Sequence, residues 1–150
     1  MPRFKYRLAT LLKIREGARD ERRAELATAY LAEQKLHERR NAVQSELDEH
    51  LAEQQRDAAG GNVNVDRLLN THRYQLVLRA EIAVLDRQDE MLAVEIEKRR
   101  QALVAADREV RALEKLRESQ HQRFRQAELL AENKQLDEVA SRGQHHEEAD

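Results

Sequence analysis

The side chains that most often bind metals or act as nucleophiles are sparse in this sequence. It has no Cys, and its six His are His37, His50, His72, His121, His145 and His146. No two of them have the i, i+4 spacing that places two ligands on one helical face, and no HExxH sequence occurs. The neighbouring pair near the C-terminus falls in a stretch that we expect to be a disordered tail. The sequence therefore predicts no metal site and no cofactor.

Carboxylate pairs and phosphate-binding loops also give no sign of catalysis. With 29 Asp and Glu residues, pairs at catalytic spacing occur by chance. The chain has neither a Walker-A string nor a GxGxxG sequence, and we interpret Gly60-Gly61 as a turn. A catalytic acid or base needs a cavity that excludes water and shifts its pKa, which two packed helices do not offer. We therefore predict that the protein is not an enzyme.

Arginine clusters at residues 19–23, 39–40 and 99–100 could suggest a nucleic-acid track. Acidic residues flank each cluster, and 27 Lys and Arg stand against 29 Asp and Glu, a formal charge of −2. This balance is typical of the solvated, ion-paired face of a coiled coil, so we predict no nucleic-acid binding. No stretch reaches the roughly 18 apolar residues of a membrane span, so direct membrane insertion is not expected either.

Residue composition predicts an all-α protein. Ala, Glu, Lys, Leu and Arg make up 88 of the 150 residues, above the roughly 50% typical of coiled coils. The aromatic content of 3% and the absence of Cys exclude a β fold, a doubly wound α/β enzyme and a disulfide scaffold. The lack of Cys also fits a reducing, intracellular compartment.

One interior break divides this helical chain. The run from Gly60 to Asn64 can end a helix in the left-handed conformation, and Asn64 or Asp66 can cap the next. We predict helix 1 at about residues 4–58, a turn at 59–65 and helix 2 at about 66–140. Together they form a single helical-hairpin domain over residues 1–141, followed by a disordered polar tail at 142–150 that Gly143 opens.

Apolar periodicity is clear in helix 2 and weak in helix 1. Steps of four and three along helix 2 give a seam of mostly apolar residues: Leu78, Ile82, Leu85, Asp89, Leu92, Ile96, Arg99, Leu103, Ala106, Val110 and Leu113. The best phase of helix 1 begins at Phe4 and Leu8 and includes Ala29 and Val43. A shifted phase takes Leu12, Leu26 and Leu47 instead. Such a thin, drifting stripe suits a two-stranded pair better than a four-helix core.

Because neither helix can bury its stripe alone, we predict an antiparallel two-stranded coiled-coil hairpin whose second helix is longer. Folding about residue 62 makes the numbers of paired residues add to about 124. Phe4 then lies opposite Gln120, and residues 121–140 extend beyond helix 1. We expect an elongated monomer; the alternative is two uninterrupted helical chains that dimerise. Near the turn, Tyr74 beside Leu47 and Leu51 forms a candidate binding patch.

Three stretches, in order and at matching spacing, resemble the FliJ family of the bacterial flagellar export apparatus. The first is the opening Phe4-Lys5-Tyr6-Arg7-Leu8 with the following Leu11, Leu12 and Ile14-Arg15-Glu16. The second is Asn64, Arg67-Leu68-Leu69-Asn70 and Tyr74 after the turn. The third is Leu129-Leu130-Ala131-Glu132-Asn133-Lys134-Gln135-Leu136-Asp137-Glu138-Val139-Ala140.

The resemblance implies a function that composition cannot give. Members are non-enzymatic parts of the flagellar type III export machine, and each is a central-stalk coiled coil. They bind the hexameric export ATPase and promote assembly of its ring, contact the cytoplasmic domain of the membrane export gate, and escort flagellar export chaperones. Carried over to this chain, the gate-binding residues are Leu47, Leu51, Tyr74 and Leu78. The ATPase-binding residues are Phe4, Leu8, Glu132, Lys134, Leu136, Asp137 and Glu138.

The same resemblance implies a cytoplasmic protein, peripheral at the inner face of the inner membrane, that serves motility and chemotaxis through flagellum biogenesis. Two other functions fit the same shape. One is the equivalent stalk of a virulence-type type III secretion system, and the other is a structural coiled coil or chaperone hairpin.

Overall fold

Two long helices make up the fold. The computed structural model describes residues 2–61 and 63–147, with side chains described up to residue 143. Helix α1 spans Ala9–Ala59 and helix α2 spans Val65–Glu147, 51 and 83 residues respectively, and the described ranges contain no strand. The two helices run antiparallel, and their side chains pack against each other in each of the two units described below. The predicted all-α antiparallel hairpin with a longer second helix is confirmed.

The turn between the helices depends on two residues that the sequence singled out. Gly61 has φ 76°, the left-handed conformation that glycine adopts without steric cost, and it follows the last turn of α1. Asn64 caps α2, because its Oδ1 accepts hydrogen bonds from the backbone N–H of Asp66 at 3.1 Å and of Arg67 at 3.4 Å. Asn62, which the predicted turn also includes, lies outside the described residues.

The N-terminal start of helix 1 was predicted five residues too early. Residues 2–8 are not helical, and the first hydrogen bonds of α1 join the Ala9 N–H to the Tyr6 carbonyl and the Leu12 N–H to the Leu8 carbonyl. A contact of the Tyr6 side chain accounts for the later start of α1. Tyr6 donates its hydroxyl to the Leu113 carbonyl of α2 at 2.9 Å, an anchoring contact that the non-helical segment makes across to the other helix.

The C-terminal end of helix 2 was predicted too early as well. Residues 141–147 continue α2, so most of the expected tail is helical, and residues 148–150 lie outside the described residues. Gly143 does not end the helix. Among the described residues only Gly61 has a positive φ, so Gly143 keeps a helical backbone.

Contacts divide the chain into two compact units, each built from both helices. Unit 1 is Met1–Arg19 with Ala105–Asp150, and unit 2 is Asp20–Val104. The single-domain organisation of residues 1–141 stays a prediction.

In unit 2 the predicted seam of helix 2 forms the core. One cluster joins Leu26, Ala29 and Ile96, with Leu92 and Leu103 packed against it. A second cluster joins Val43, Leu47 and Leu78, with Leu51, Ile82 and Leu85. Helix α1 thus contributes residues of both phases read from the sequence. The thin apolar stripe predicted for helix 1 packs against α2, and it changes from one phase to the other along α1.

In unit 1, one apolar side chain of each helix is buried, Leu12 of α1 and Val110 of α2. The ring of Phe4 lies edge-on to the His121 ring with centroids 5.0 Å apart, and 5.7 Å from the Phe124 ring. Arg15 forms a salt bridge of 3.1 Å with Glu109. Residue numbers in this last pair add to 124, as the folding point predicted, and the same holds in unit 2 for His50 and Tyr74.

Candidate partner-binding sites

The four residues assigned to the export gate lie together in unit 2, but not all at the surface. Leu47 and Leu78 are only 5% and 3% exposed, and Leu51 packs against the same cluster. Their apolar side chains hold α1 to α2 near the turn. A partner protein that approaches this part of unit 2 therefore contacts the exposed side chains around these leucines more than the leucines themselves.

Tyr74 is the exposed member of the four, with 40% of its surface accessible. Its hydroxyl donates a hydrogen bond to the Glu46 carboxylate, and its ring lies edge-on to the His50 ring with centroids 4.8 Å apart. The hydrogen bond to the charged carboxylate raises the pKa of Tyr74 above its ordinary value. The phenol is therefore held in one orientation on the surface.

Sequence reasoning missed His50 and Glu46 as parts of this surface. The rule that paired residue numbers add to about 124 places Tyr74 opposite His50, and Glu46 lies one helical turn before His50 on α1. We call Tyr74, His50 and Glu46 the tyrosine platform. It combines one aromatic face, one imidazole and one carboxylate, a set suited to a partner surface with apolar and basic groups.

A groove of about 610 Å³ adjoins the tyrosine platform on the side of the turn. His50 and Gln54 of α1 lie on one wall, and Val63, Leu68 and Thr71 lie on the other. Gln54 also accepts a 2.8 Å hydrogen bond from the buried Gln75 amide, and this bond joins α1 to α2 beside the groove. The groove is open and lined by mixed polar and apolar groups, so it extends the surface available beside Tyr74.

The residues assigned to the export ATPase separate into two sets within unit 1. Phe4 packs on His121 and Phe124, and Leu8 is half-buried, so both take part in intramolecular packing. The C-terminal set, Glu132, Lys134, Leu136, Asp137 and Glu138, is exposed throughout. Within the described residues, no hydrogen bond, ion pair or ring contact joins either Phe4 or Leu8 to that set.

The C-terminal segment of α2, residues 129–143, is exposed at every position. Its apolar members include Leu136, 67% exposed, with Leu129, Leu130 and Val139 also uncovered. Intramolecular packing reaches Phe124, four residues further than the predicted limit at residue 120. The segment therefore offers apolar and charged side chains that nothing in the described part of the chain covers.

One cluster could hold a cation by its ligand types. Oxygen and nitrogen atoms of Glu33, His37 and Asp89 lie within 4.8 Å of one another, and His37 Nε2 is 2.8 Å from an Asp89 oxygen. Sequence reasoning missed it because only His–His spacing was considered, whereas Glu33 and His37 have the i, i+4 spacing. The Arg40 guanidinium, which is hydrogen bonded to Asp86 and attracted by Asp89, opposes a second positive charge there.

Comparison with protein families supports the resemblance drawn from the motifs. The FliJ family, described as the flagellar FliJ protein, matches residues 4–149. The chain belongs to the FliJ family. No curated protein and no solved structure matches the chain.

FliJ membership assigns the chain in general terms to the flagellar protein-export apparatus, in which members of the family are structural, non-enzymatic components. The match extends over the tyrosine platform and the whole of the exposed C-terminal segment. The family match does not identify individual contacts with partner proteins. The residues assigned to the export gate and to the export ATPase therefore stay predictions. Within the described residues, no helix of this FliJ-family chain is long and apolar enough to cross a membrane.

Proposed function

We propose that this FliJ-family protein is the central coiled coil of the flagellar export ATPase. In this role it binds the hexameric ATPase and promotes assembly of its ring, contacts the cytoplasmic domain of the membrane export gate, and escorts export chaperones. It has no catalytic activity and works at the cytoplasmic face of the inner membrane. Motility and chemotaxis then depend on it through flagellum assembly.

The observation that carries this proposal is the exposed C-terminal segment, residues 129–143. A helix without a packing partner loses the tertiary contacts that normally stabilise helices in proteins. Four large apolar side chains, Leu129, Leu130, Leu136 and Val139, are left in water there. Contacts supplied by another protein would cover these groups. The carboxylates and Lys134 beside them would fix the register of that contact by charge.

The tyrosine platform supports a second contact, with the export gate, in a different unit of the chain. Tyr74 is exposed and held by Glu46, whereas Leu47 and Leu78 are buried. We therefore assign direct gate contact to Tyr74 and a supporting role to the leucines. Exposed aromatic side chains dominate many interfaces because they bury a large area with few rotatable bonds.

The experiment separates the two contacts with purified ATPase and gate domain. Truncation after Glu128 removes the exposed C-terminal segment together with the residues that follow it. It should leave the melting temperature within a few degrees and abolish stimulation of the export ATPase. Tyr74→Ala should weaken gate binding while ATPase stimulation survives. Tyr30→Ala is the matched control, because Tyr30 is also exposed in unit 2 and has no ring or hydrogen-bond partner among the described residues.

Two results would contradict the proposal. A truncated chain that stimulates the ATPase normally would remove the C-terminal segment from the ATPase contact. If Tyr74→Ala and Tyr30→Ala weakened gate binding equally, the tyrosine platform would have no special role in it.

A further inference from the structure

Helix α2 carries a second regular stripe, on a face that α1 does not cover. Steps of four and three from Arg73 give the outer stripe: Arg73, Val77, Ala80, Val84, Arg87, Met91, Val94 and Lys98. All eight are exposed, and its large apolar members, Val77, Val84, Met91 and Val94, are 61%, 56%, 69% and 70% exposed. All of them lie in unit 2.

The outer stripe has the spacing of a coiled-coil seam. Each of its positions precedes a residue of the inner seam by five places, which is about 140° around an α-helix at 3.6 residues per turn. Alternating steps of four and three keep side chains on one face of a helix over several turns. Helix α2 therefore has two seams here, one filled by α1 and one open to solvent.

Charge pairing in unit 2 leaves the outer stripe basic. Between residues 73 and 98, four of the six carboxylates form salt bridges with arginines, namely Glu81, Asp86, Glu95 and Glu97, and a fifth, Asp89, is hydrogen bonded to His37. The four cations of the same stretch, Arg73, Arg79, Arg87 and Lys98, form no salt bridge within the described part of the chain. Glu90 is the one carboxylate left unpaired there. The surplus on this side of α2 is thus positive.

We propose that the outer stripe binds an amphipathic helix of a partner protein that bears carboxylates beside its apolar seam. The seven-residue spacing of Val77, Val84 and Met91 matches a helix packed along α2 as a third strand. Carboxylates on that helix would pair with Arg73, Arg87 and Lys98. This contact is independent of the export ATPase and export gate contacts proposed above.

A second copy of this chain fits the outer stripe poorly. Antiparallel pairing of two such stripes sets Arg73 against Lys98 and Val84 against Arg87, while parallel pairing sets each cation against itself. Like charges in register destabilise a coiled-coil pair. Nucleic acid fits poorly too, because five of the eight positions are apolar or Ala. The acidic helix is the occupant that satisfies both the apolar and the basic positions.

The test uses the full chain and three synthetic amphipathic helices, roughly four heptads long, with Leu at the seam positions. Their flanking positions carry Glu, Gln or Lys, and binding is followed by fluorescence anisotropy. We expect the Glu peptide to bind most tightly and the Lys peptide least. Added salt should reduce the difference, because exposed charges are screened.

Two variants locate the binding on the outer stripe. Arg87→Glu should weaken binding of the Glu peptide by about 3–10-fold, while Lys35→Glu, an exposed and unpaired cation on α1, should not. Met91→Ser should weaken the Glu and Gln peptides alike by about tenfold or more through lost apolar burial. Both substitutions alter exposed side chains, and circular dichroism checks that the helix content is unchanged.

Several outcomes would overturn the inference. Equal affinity for the Glu and Gln peptides would remove the charge preference. Equal loss with Arg87→Glu and Lys35→Glu would place the peptide elsewhere, and absence of binding by every peptide would leave the stripe without a role. Sedimentation that shows a dimer of this chain, lost with Met91→Ser, would make a second copy the occupant and refute the acidic partner.

Discussion

Burying a carboxylate at Ile96 should break the core of unit 2. Ile96 is 9% exposed and packs against Leu26 and Ala29 of α1. Ile96→Asp removes about 1.5–3 kcal/mol of apolar burial and places an ionised group where water is largely excluded. We expect the free energy of unfolding to fall by about 2–4 kcal/mol in total.

The neighbouring arginine does not relieve this cost. Arg99 lies one helical turn beyond Ile96, but its guanidinium already donates to the Glu25 carbonyl at 2.6 Å and to the Glu95 carboxylate at 2.9 Å. Moving Arg99 to the new carboxylate would leave the Glu25 carbonyl without that donor. The substitution therefore exchanges one satisfied polar contact for another and still loses the apolar core.

Urea unfolding followed by far-UV circular dichroism measures the effect, with Val94→Asp as the control. Val94 is two residues away on α2 and is 70% exposed, so the same substitution there should change the free energy of unfolding by about 0.5 kcal/mol or less. The midpoint should fall for Ile96→Asp with an unchanged slope. Equal midpoints for the two variants would refute the placement of Ile96 between the helices.

Three further predictions address polar contacts. Gln75→Ala deletes the buried amide that donates to Gln54 and should cost about 1–3 kcal/mol of unfolding free energy by urea titration; no change would mean the pair is not stabilising. Tyr6→Phe removes the bond to a carbonyl of α2 and should cost about 0.5–1.5 kcal/mol; hydrogen exchange at residues 2–8 should rise, and unaltered exchange would argue against the anchor. Arg40 lowers the pKa of Asp86 below its ordinary 3.8, so the pair stabilises the fold at higher pH and this contribution is lost as acid protonates Asp86. The stability gap between wild type and Arg40→Gln should therefore narrow below pH 3.8, and a gap that widens there would contradict it.

The fold could be predicted from helix 2 because its seam repeats large aliphatic residues. Leu78, Leu92 and Ile96 occur at coiled-coil spacing, and all three lie in the core clusters. Helix 1 offered two phases, and the structure uses Leu26 and Leu47 from one and Ala29 and Val43 from the other. A straight helix with 3.6 residues per turn drifts about 20° per heptad against a 3.5-residue repeat. Over the 51 residues of α1, this drift favours a change of phase, and the core clusters contain residues of both phases.

The helix ends could not be predicted from residue types alone. Gly143 resembles Gly60 in the sequence, but a glycine ends a helix only where the backbone takes a left-handed turn, as Gly61 does. Phe4 belongs to the predicted helical seam, yet its ring reaches α2 from a non-helical segment. For Phe4, the contact with His121 involves a residue more than 100 positions away along the chain, which residue types near Phe4 do not reveal.

The candidate sites depend on how the charges are divided between the two helices, which composition hides. A net charge of −2 suggests a surface that prefers neither acidic nor basic partners. Yet Arg39, Arg40 and His37 of α1 take three carboxylates of α2 into cross-helix pairs, so the opposite side of α2 keeps its cations unpaired. Exposed pairs of this kind contribute only about 0–1 kcal/mol each to stability. Their larger consequence concerns the surface of α2: the acids on the side of α1 have partners, whereas Arg73, Arg87 and Lys98 of the outer stripe form no salt bridge within the described residues and stay available to the acidic helix that we propose.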